Sequence, residues 1–231
     1  MLPVTWTEDK WPVILPAGES VPMIVRHEGV KRGDKLTFGN FTLEDDFSSS
    51  ELGDRWMTLR SPAKDRYSLT DKPGYLELIC SEDKATEMHT PAYVAHRLHH
   101  HKFSATTRMY FNPSKYSEAA GLLLFKDERH QYNFMVSKEG ISVNKVEFEV
   151  IVEQNKRPRF EEVSTELGAA TVDKYRFIDL KVTSDAETFS FWYAVNGKKW
   201  QPLVEGVDAS FLTSASAGGF TGTLIGPYAV K

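Results

Sequence analysis

Four histidines, His96, His99, His100 and His101, crowd one short stretch of the chain. Imidazoles bind zinc, copper or nickel when their nitrogens converge on one point. In an extended chain successive side chains point to opposite faces, so three consecutive histidines cannot meet on one ion without a turn. His99 and His101 could share a face, but no carboxylate in the run joins them. The stretch reads as a solvated strand end, and no metal site is assigned. Cys80 is the single cysteine, which rules out an internal disulfide and any cysteine-based zinc cluster. Its neighbours Ser81, Glu82 and Asp83 oppose thiolate formation, so it reads as a strand thiol and not a nucleophile.

Acids come in groups: Glu44, Asp45 and Asp46 before Phe47, and Glu161 with Glu162 after Phe160. Glycoside hydrolysis needs two opposed carboxylates about 5 to 10 Å apart, a relation that spacing alone does not establish. Beside strands such pairs are more simply solvated edges or structural calcium ligands. Calcium is therefore the one ion these acids would take, and no other cofactor is expected. Glu147, Glu149 and Glu153 alternate as glycosidase acids on one strand would. Opposite Val146, Phe148 and Val150 they read as solvent-facing. No catalytic residue is assigned.

Gly218-Gly219-Phe220-Thr221-Gly222-Thr223 resembles a dinucleotide loop only superficially, because strand and turn residues follow it where a helix should. The segment sets one aromatic among glycines, whose backbone freedom could present Phe220 outward. A core phenylalanine at a sheet corner is the plainer alternative.

The elements that must hold these residues are strands. Phe103, Ala105, Thr107, Met109 and Phe111 alternate with polar residues. So do Val146, Phe148, Val150 and Val152; Ile178, Leu180 and Val182; and Phe189, Phe191, Tyr193 and Val195. A period of two sends each apolar set to one face. Asn196-Gly197 is the strongest hairpin signal, with Pro73-Gly74, Asn112-Pro113 and Glu139-Gly140 as further turns. The only helix expected is a short one from Asp208 to Leu212, capped by Asp208. About a dozen strands predict an all-β, antiparallel two-sheet sandwich. Residues 1–40 differ: Pro3, Pro12, Pro16 and Pro22 recur with Trp6 and Trp11 between them, an extended lead-in laid against something apolar. The sandwich is expected over 41–231.

With 231 residues, 41% hydrophobic and 12% aromatic, the chain can bury a sizeable core. The net charge of −4 lacks the basic bias of nucleic-acid or membrane surfaces. No apolar run approaches the roughly 20 residues of a bilayer span. The stretch Met1 to Trp6 does not read as a signal peptide.

Glu44-Asp45-Asp46-Phe47, Leu52 to Trp56, Leu59-Arg60-Ser61-Pro62, Tyr67 to Thr70 and Pro73 to Leu76 together resemble a known domain. Val94-Ala95-His96-Arg97, Ala120-Gly121-Leu122 and Gly218 to Gly222 continue the likeness. It is the concanavalin A-like jelly-roll domain at the C-terminus of glycoside hydrolase family 43 β-xylosidases. Pro3 to Val13 is similar to the last stretch of that family's catalytic propeller, whose blades would precede residue 1. The resemblance implies an accessory role, without catalysis by this chain. Its implied partners are a propeller domain or subunit, a xylo- or arabino-oligosaccharide and a second copy as an oligomer contact. It also implies that Phe220, on the Gly-Gly-Phe loop, reaches the propeller's sugar pocket. The family continues past this loop to a final strand, so that strand is expected to be truncated here, its edge either exposed or filled by another segment. The alternative is a free-standing carbohydrate-binding module, with Trp192, Tyr193, Tyr110 and Tyr132 as its aromatic platform.

Overall fold

The computed structural model describes residues 2–23, 25, 39–60, 63–154 and 156–231. The chain divides into two compact units, residues 1–44 and Asp45–Lys231. In the first, β1 (Thr5–Trp6) and β2 (Pro12–Val13) pair antiparallel. Thr7 closes the hairpin: its carbonyl accepts the Lys10 N–H at 2.9 Å and its hydroxyl oxygen accepts the Trp11 N–H at 3.0 Å. Trp6 and Trp11 both stand exposed. Past the hairpin the prolines keep the described part of this unit irregular. The lead-in expected over 24 and 26–38 lies outside the described residues.

The second unit opens with three two-residue strands: β3 (Met57–Thr58), β4 (Tyr67–Ser68) and β5 (Glu77–Leu78). The long strands follow: β6 (Ala92–Arg97), β7 (Lys102–Met109), β8 (Ala119–Asp127), β9 (His130–Ser137), β10 (Gly140–Ile151) and β11 (Arg159–Ala170). After them come β12 (Ile178–Asp185), β13 (Thr188–Val195) and β14 (Gln201–Asp208). A 3-10 turn (Ser210–Leu212), a one-turn helix α1 (Ser214–Ala217) and β15 (Leu224–Val230) complete the chain. A seven-stranded sheet, β11-β10-β9-β8-β15-β6-β3, packs on a four-stranded one, β14-β13-β12-β7. Pairing within both sheets is antiparallel, as the alternating pattern predicts, and a lone bridge between Ser81 and Val230 is parallel.

The core between the sheets is built from the expected alternating residues. Ile178, Leu180 and Val182 meet Phe189, Phe191 and Tyr193, and all face Leu122, Leu124, Tyr132 and Phe134 from the larger sheet. Phe134 and Phe191 touch edge-on with ring centroids 5.4 Å apart. Strand β8 is apolar on both sides because both its faces are covered. Leu123 and Phe125 enter a second cluster with Tyr93, Met135 and Tyr228, against which Met57 and Leu59 pack. β15 is an interior strand of the larger sheet, while β7 is the outer strand of the smaller. Among the described residues no strand pairs with that outer edge of β7.

Two expectations need correction. Val146, Phe148, Val150 and Val152 do not share one core face: Val146 is buried, whereas Val150 and Val152 are 55% and 73% exposed. β9 stops pairing at Glu147↔His130, so beyond it β10 and β11 continue as a two-stranded ribbon, and among the described residues no third strand pairs with them. Alternation assigns a face; it does not say whether anything lies against it. On the ribbon the Arg129 guanidinium sits 4.1 Å above the Phe160 ring. Near Asp208, the short helix begins from Ala209 without a side-chain cap. Asp208 ends β14 instead, and its carboxylate accepts the Ser210 N–H at 2.8 Å and hydroxyl at 2.9 Å. The Asn196-Gly197 turn forms as read, with φ of 54° and 69° at its two residues.

Truncating either ring of the central pair leaves a cavity that a close-packed interior cannot fill. Phe134→Ala and Phe191→Ala are each expected to cost about 3–5 kcal/mol in urea unfolding. The double variant should cost less than the sum, because the two rings share one contact.

Candidate functional site

The glycine-flanked loop is the most strongly built feature of the surface. Gly218 follows α1 with φ 73° and ψ −161°, and Gly219 has φ 72°. The Gly218 backbone lies in a region that side chains with a Cβ essentially cannot enter. Phe220 comes next, with its side chain wholly in solvent at 109% relative exposure. A core phenylalanine at a sheet corner is thereby excluded.

An exposed ring is only as well placed as the backbone beneath it. Lys126, at the end of β8, is 4% exposed. Its ammonium donates to the Ser214 hydroxyl at 3.0 Å and to the Thr221 carbonyl. These acceptors lie on either side of Phe220, so one buried cation clasps both legs of the loop. Burying a charge is costly unless hydrogen bonds replace its water, so the clasp has to be closed. The Thr223 hydroxyl donates to the Leu212 carbonyl at 2.9 Å, and the Leu98 N–H donates to the Thr223 carbonyl at 2.9 Å. Below, Phe211 packs on His130 and Tyr132 with centroids 5.1 and 5.3 Å apart, and the Lys145 ammonium lies 4.3 Å from its ring. The Tyr132 hydroxyl donates to the Asp208 carbonyl at 2.8 Å, and burial drives its pKa upward. Such an arrangement can offer shape and exclude water; a phenyl ring has no proton to transfer. Lys126 escaped the sequence reading. Its signal was a lone cation closing the apolar run Leu122 to Phe125.

The histidines do not gather. His96 lies on β6 against Trp56, ring centroids 3.8 Å apart, while His99, His100 and His101 run through the turn towards β7. Among the described residues no three His, Cys, Asp or Glu side chains come together as a metal-binding group. Asp45 and Asp46 are used locally. Asp45 accepts the Phe47 N–H at 2.9 Å and the Trp56 indole N–H at 2.6 Å, and Asp46 accepts the Ser48 N–H at 3.0 Å. Glu147 pairs with Lys145 at 2.7 Å, Glu153 with Lys156 and Arg159, and Glu161 with Arg159 at 3.7 Å. Asp179, the one acid among the buried polar side chains of the described residues, is held by Arg108 through two bonds of 2.7 and 3.3 Å. Cys80 is half-buried beside Ala92, Ala120 and Ala229, and burial raises its thiol pKa. The aromatic platform does not assemble. Tyr132 and Tyr193 are core residues, Trp192 lies under Lys181, and Tyr110 packs on Tyr75 and Phe177.

A family model described as the β-xylosidase C-terminal concanavalin A-like domain matches residues 44–231. A xylosidase/arabinosidase from Butyrivibrio fibrisolvens is 28% identical across 98% of the chain and 41% of its own length. A putative β-xylosidase from Escherichia coli is 28% identical across 96% and 41%. Among solved structures, a mutant of the GH43 protein BlXynB from Bacillus licheniformis superposes with a TM-score of 0.74 at 27% identity, over 99% of this chain and 42% of that one. A GH43_12 protein from a capybara gut metagenome gives 0.74 at 28%, over 100% and 42%. The chain thus spans about two-fifths of the length of the curated relatives it matches.

Gly218→Ala is expected to cost about 1–3 kcal/mol in thermal unfolding, the strain of a Cβ in that backbone region. Lys126→Met should raise protease sensitivity within 214–223 while leaving hydrogen exchange of β12 and β13 unchanged. His96 carries a pH signature. Burial, followed by nearby Arg55, pulls its imidazole below the usual 6.5. The unfolded chain therefore takes the proton first, and stability is lost as pH falls below 6.5 towards the depressed folded value. His96→Asn is expected to show a smaller fall in Tm across that interval than the parent chain.

Proposed function

The chain belongs to the β-xylosidase C-terminal concanavalin A-like domain family, and from that premise we propose that it is the non-catalytic sandwich of a family 43 xylosidase or arabinofuranosidase. In this reading it packs against a catalytic propeller and lends Phe220 to the rim of the sugar pocket. The observation that carries the reading is Phe220 itself, a large apolar ring set wholly in solvent on two positive-φ glycines. Exposing a phenylalanine and clasping its loop with a buried lysine gains the isolated chain nothing. Both make sense when a second surface closes over the ring.

Two further features support it. Trp6 and Trp11 present exposed indoles on a hairpin of the first unit, again apolar surface in want of a cover. Asp45, Asp46, Asp185 and Asp208 are held in turns, and Glu147, Glu153, Glu161 and Asp179 in ion pairs. The substrate implied is a xyloside or arabinoside, as the names of the similar enzymes suggest.

The chain alone is expected to leave nitrophenyl xyloside and nitrophenyl arabinofuranoside intact. In an enzyme that carries both propeller and sandwich, Phe220→Ala should lower kcat/KM about 10- to 100-fold, the range for losing one apolar pocket contact. The melting temperature should not move. Hydrolysis by the chain alone that disappears on mutating one of its own carboxylates would overturn the proposal.

A further inference from the structure

The outer face of the seven-stranded sheet holds a groove of about 240 Å³. Its floor is β9 and β10. On β9, Gln131, Asn133 and Met135 occupy alternate positions and line the groove. On β10, Val146, Asn144 and Ser142 stand directly opposite them in register. Strand geometry places the two β9 amides about 7 Å apart and faces Asn133 to Asn144 across about 5 Å.

One wall is the loop at 84–86, fixed over the sheet by two bonds. The Ala85 N–H donates to the Tyr228 hydroxyl at 3.2 Å, and the Thr86 hydroxyl donates to Glu162 at 2.8 Å. Arg60 secures the far end of this loop through the His89 carbonyl and is itself tied to Glu128 at 2.5 Å. The wall is built in, not left to chance.

Two acceptors inside the groove lack partners. Gln131 is 0% exposed; its Nε2 donates to the Glu128 carbonyl at 3.1 Å, while its Oε1 meets no donor. Asn133 Oδ1 is likewise buried without one. A buried acceptor left unpaired destabilises the fold. Two of them side by side in one groove point to a ligand with several hydroxyls.

We propose that this groove binds a neutral saccharide, one ring or the end of an oligosaccharide. Sugar hydroxyls donate and accept, and so do carboxamides. Lys84 and Glu162, both on the lining, oppose one another in charge and favour neither an anion nor a cation. The volume is below the roughly 300–1,000 Å³ of drug-sized ligand sites, which suits a small polyol. A nucleobase finds no stacking platform, since Tyr228 is the only aromatic of the lining and it is buried. This inference does not depend on the role proposed for Phe220.

Side-chain amide signals of the isotope-labelled chain, titrated with D-xylose, xylotriose and cellotriose, test it. Saturable shifts at Gln131, Asn133 and Asn144 are expected from at least one sugar, at about millimolar strength or tighter. Asn144→Ala should weaken binding at least about tenfold with the fold intact. Thr86→Val, which breaks the wall at its surface end, should weaken it too and serves where Asn144→Ala fails to fold. Absence of saturable shifts at these amides with every sugar overturns the proposal. Shifts confined to Trp192 and Tyr110, or an equal response to inorganic phosphate, overturn it as well. None of these outcomes bears on turnover by the propeller-bearing enzyme.

Discussion

Seven strands cannot be covered by four, and much of this molecule follows from that mismatch. The inter-sheet core satisfies the larger sheet only where β12, β13 and their neighbours lie over it. Elsewhere its apolar residues need other covers. Leu78, Cys80, Met109 and Phe111 close over the small side chains of Ala92, Ala120 and Ala229. On the outer face, Ala85, Tyr93 and Tyr228 complete a second dry cluster around Leu123 and Phe125. Where the apolar cover ends, the side chains change character: amides and hydroxyls on the floor of the groove beside the loop at 84–86, then the ribbon beyond Glu147. The edge of burial is thus written into side-chain chemistry, and the surface features with functional promise all sit at that edge.

The Phe220 loop is a local case of the same rule. Its backbone is held in a glycine-only conformation and its two legs are drawn together by the Lys126 ammonium. A buried cation is tolerated because it finds neutral oxygens at the place where the loop must close. What the loop then displays is apolar. That combination, an ordered base under an exposed ring, is what the proposed contact with a propeller would use. The hairpin tryptophans make the same argument from the other unit.

The period-two pattern made the sandwich legible, and Asn196-Gly197 fixed one hairpin outright. Gly218-Gly219 before Phe220 marked the loop, because only glycine takes up that backbone freely. Other features were not legible for definite reasons. Val150 and Val152 carry a core pattern, but burial depends on a neighbouring strand that ends at His130. Asp208 looks like a cap, yet the turn it makes with Ser210 serves as well and lies one residue earlier. The amide floor was hidden because Gln131, Asn133 and Asn144 read as ordinary polar positions of half-buried strands. Only the register of β9 against β10 brings them together. Lys126 was hidden for a similar reason, since its partners are 88 and 95 residues away.

The proposed role turns on where the Phe220 ring goes when the chain meets a catalytic domain. A crystal structure of the sandwich together with a family 43 propeller and bound xylose answers this directly. The ring is expected within about 4 Å of the sugar, the contact distance for apolar packing, with the Trp6 and Trp11 indoles covered. A ring still in open solvent, remote from the bound sugar, would contradict it.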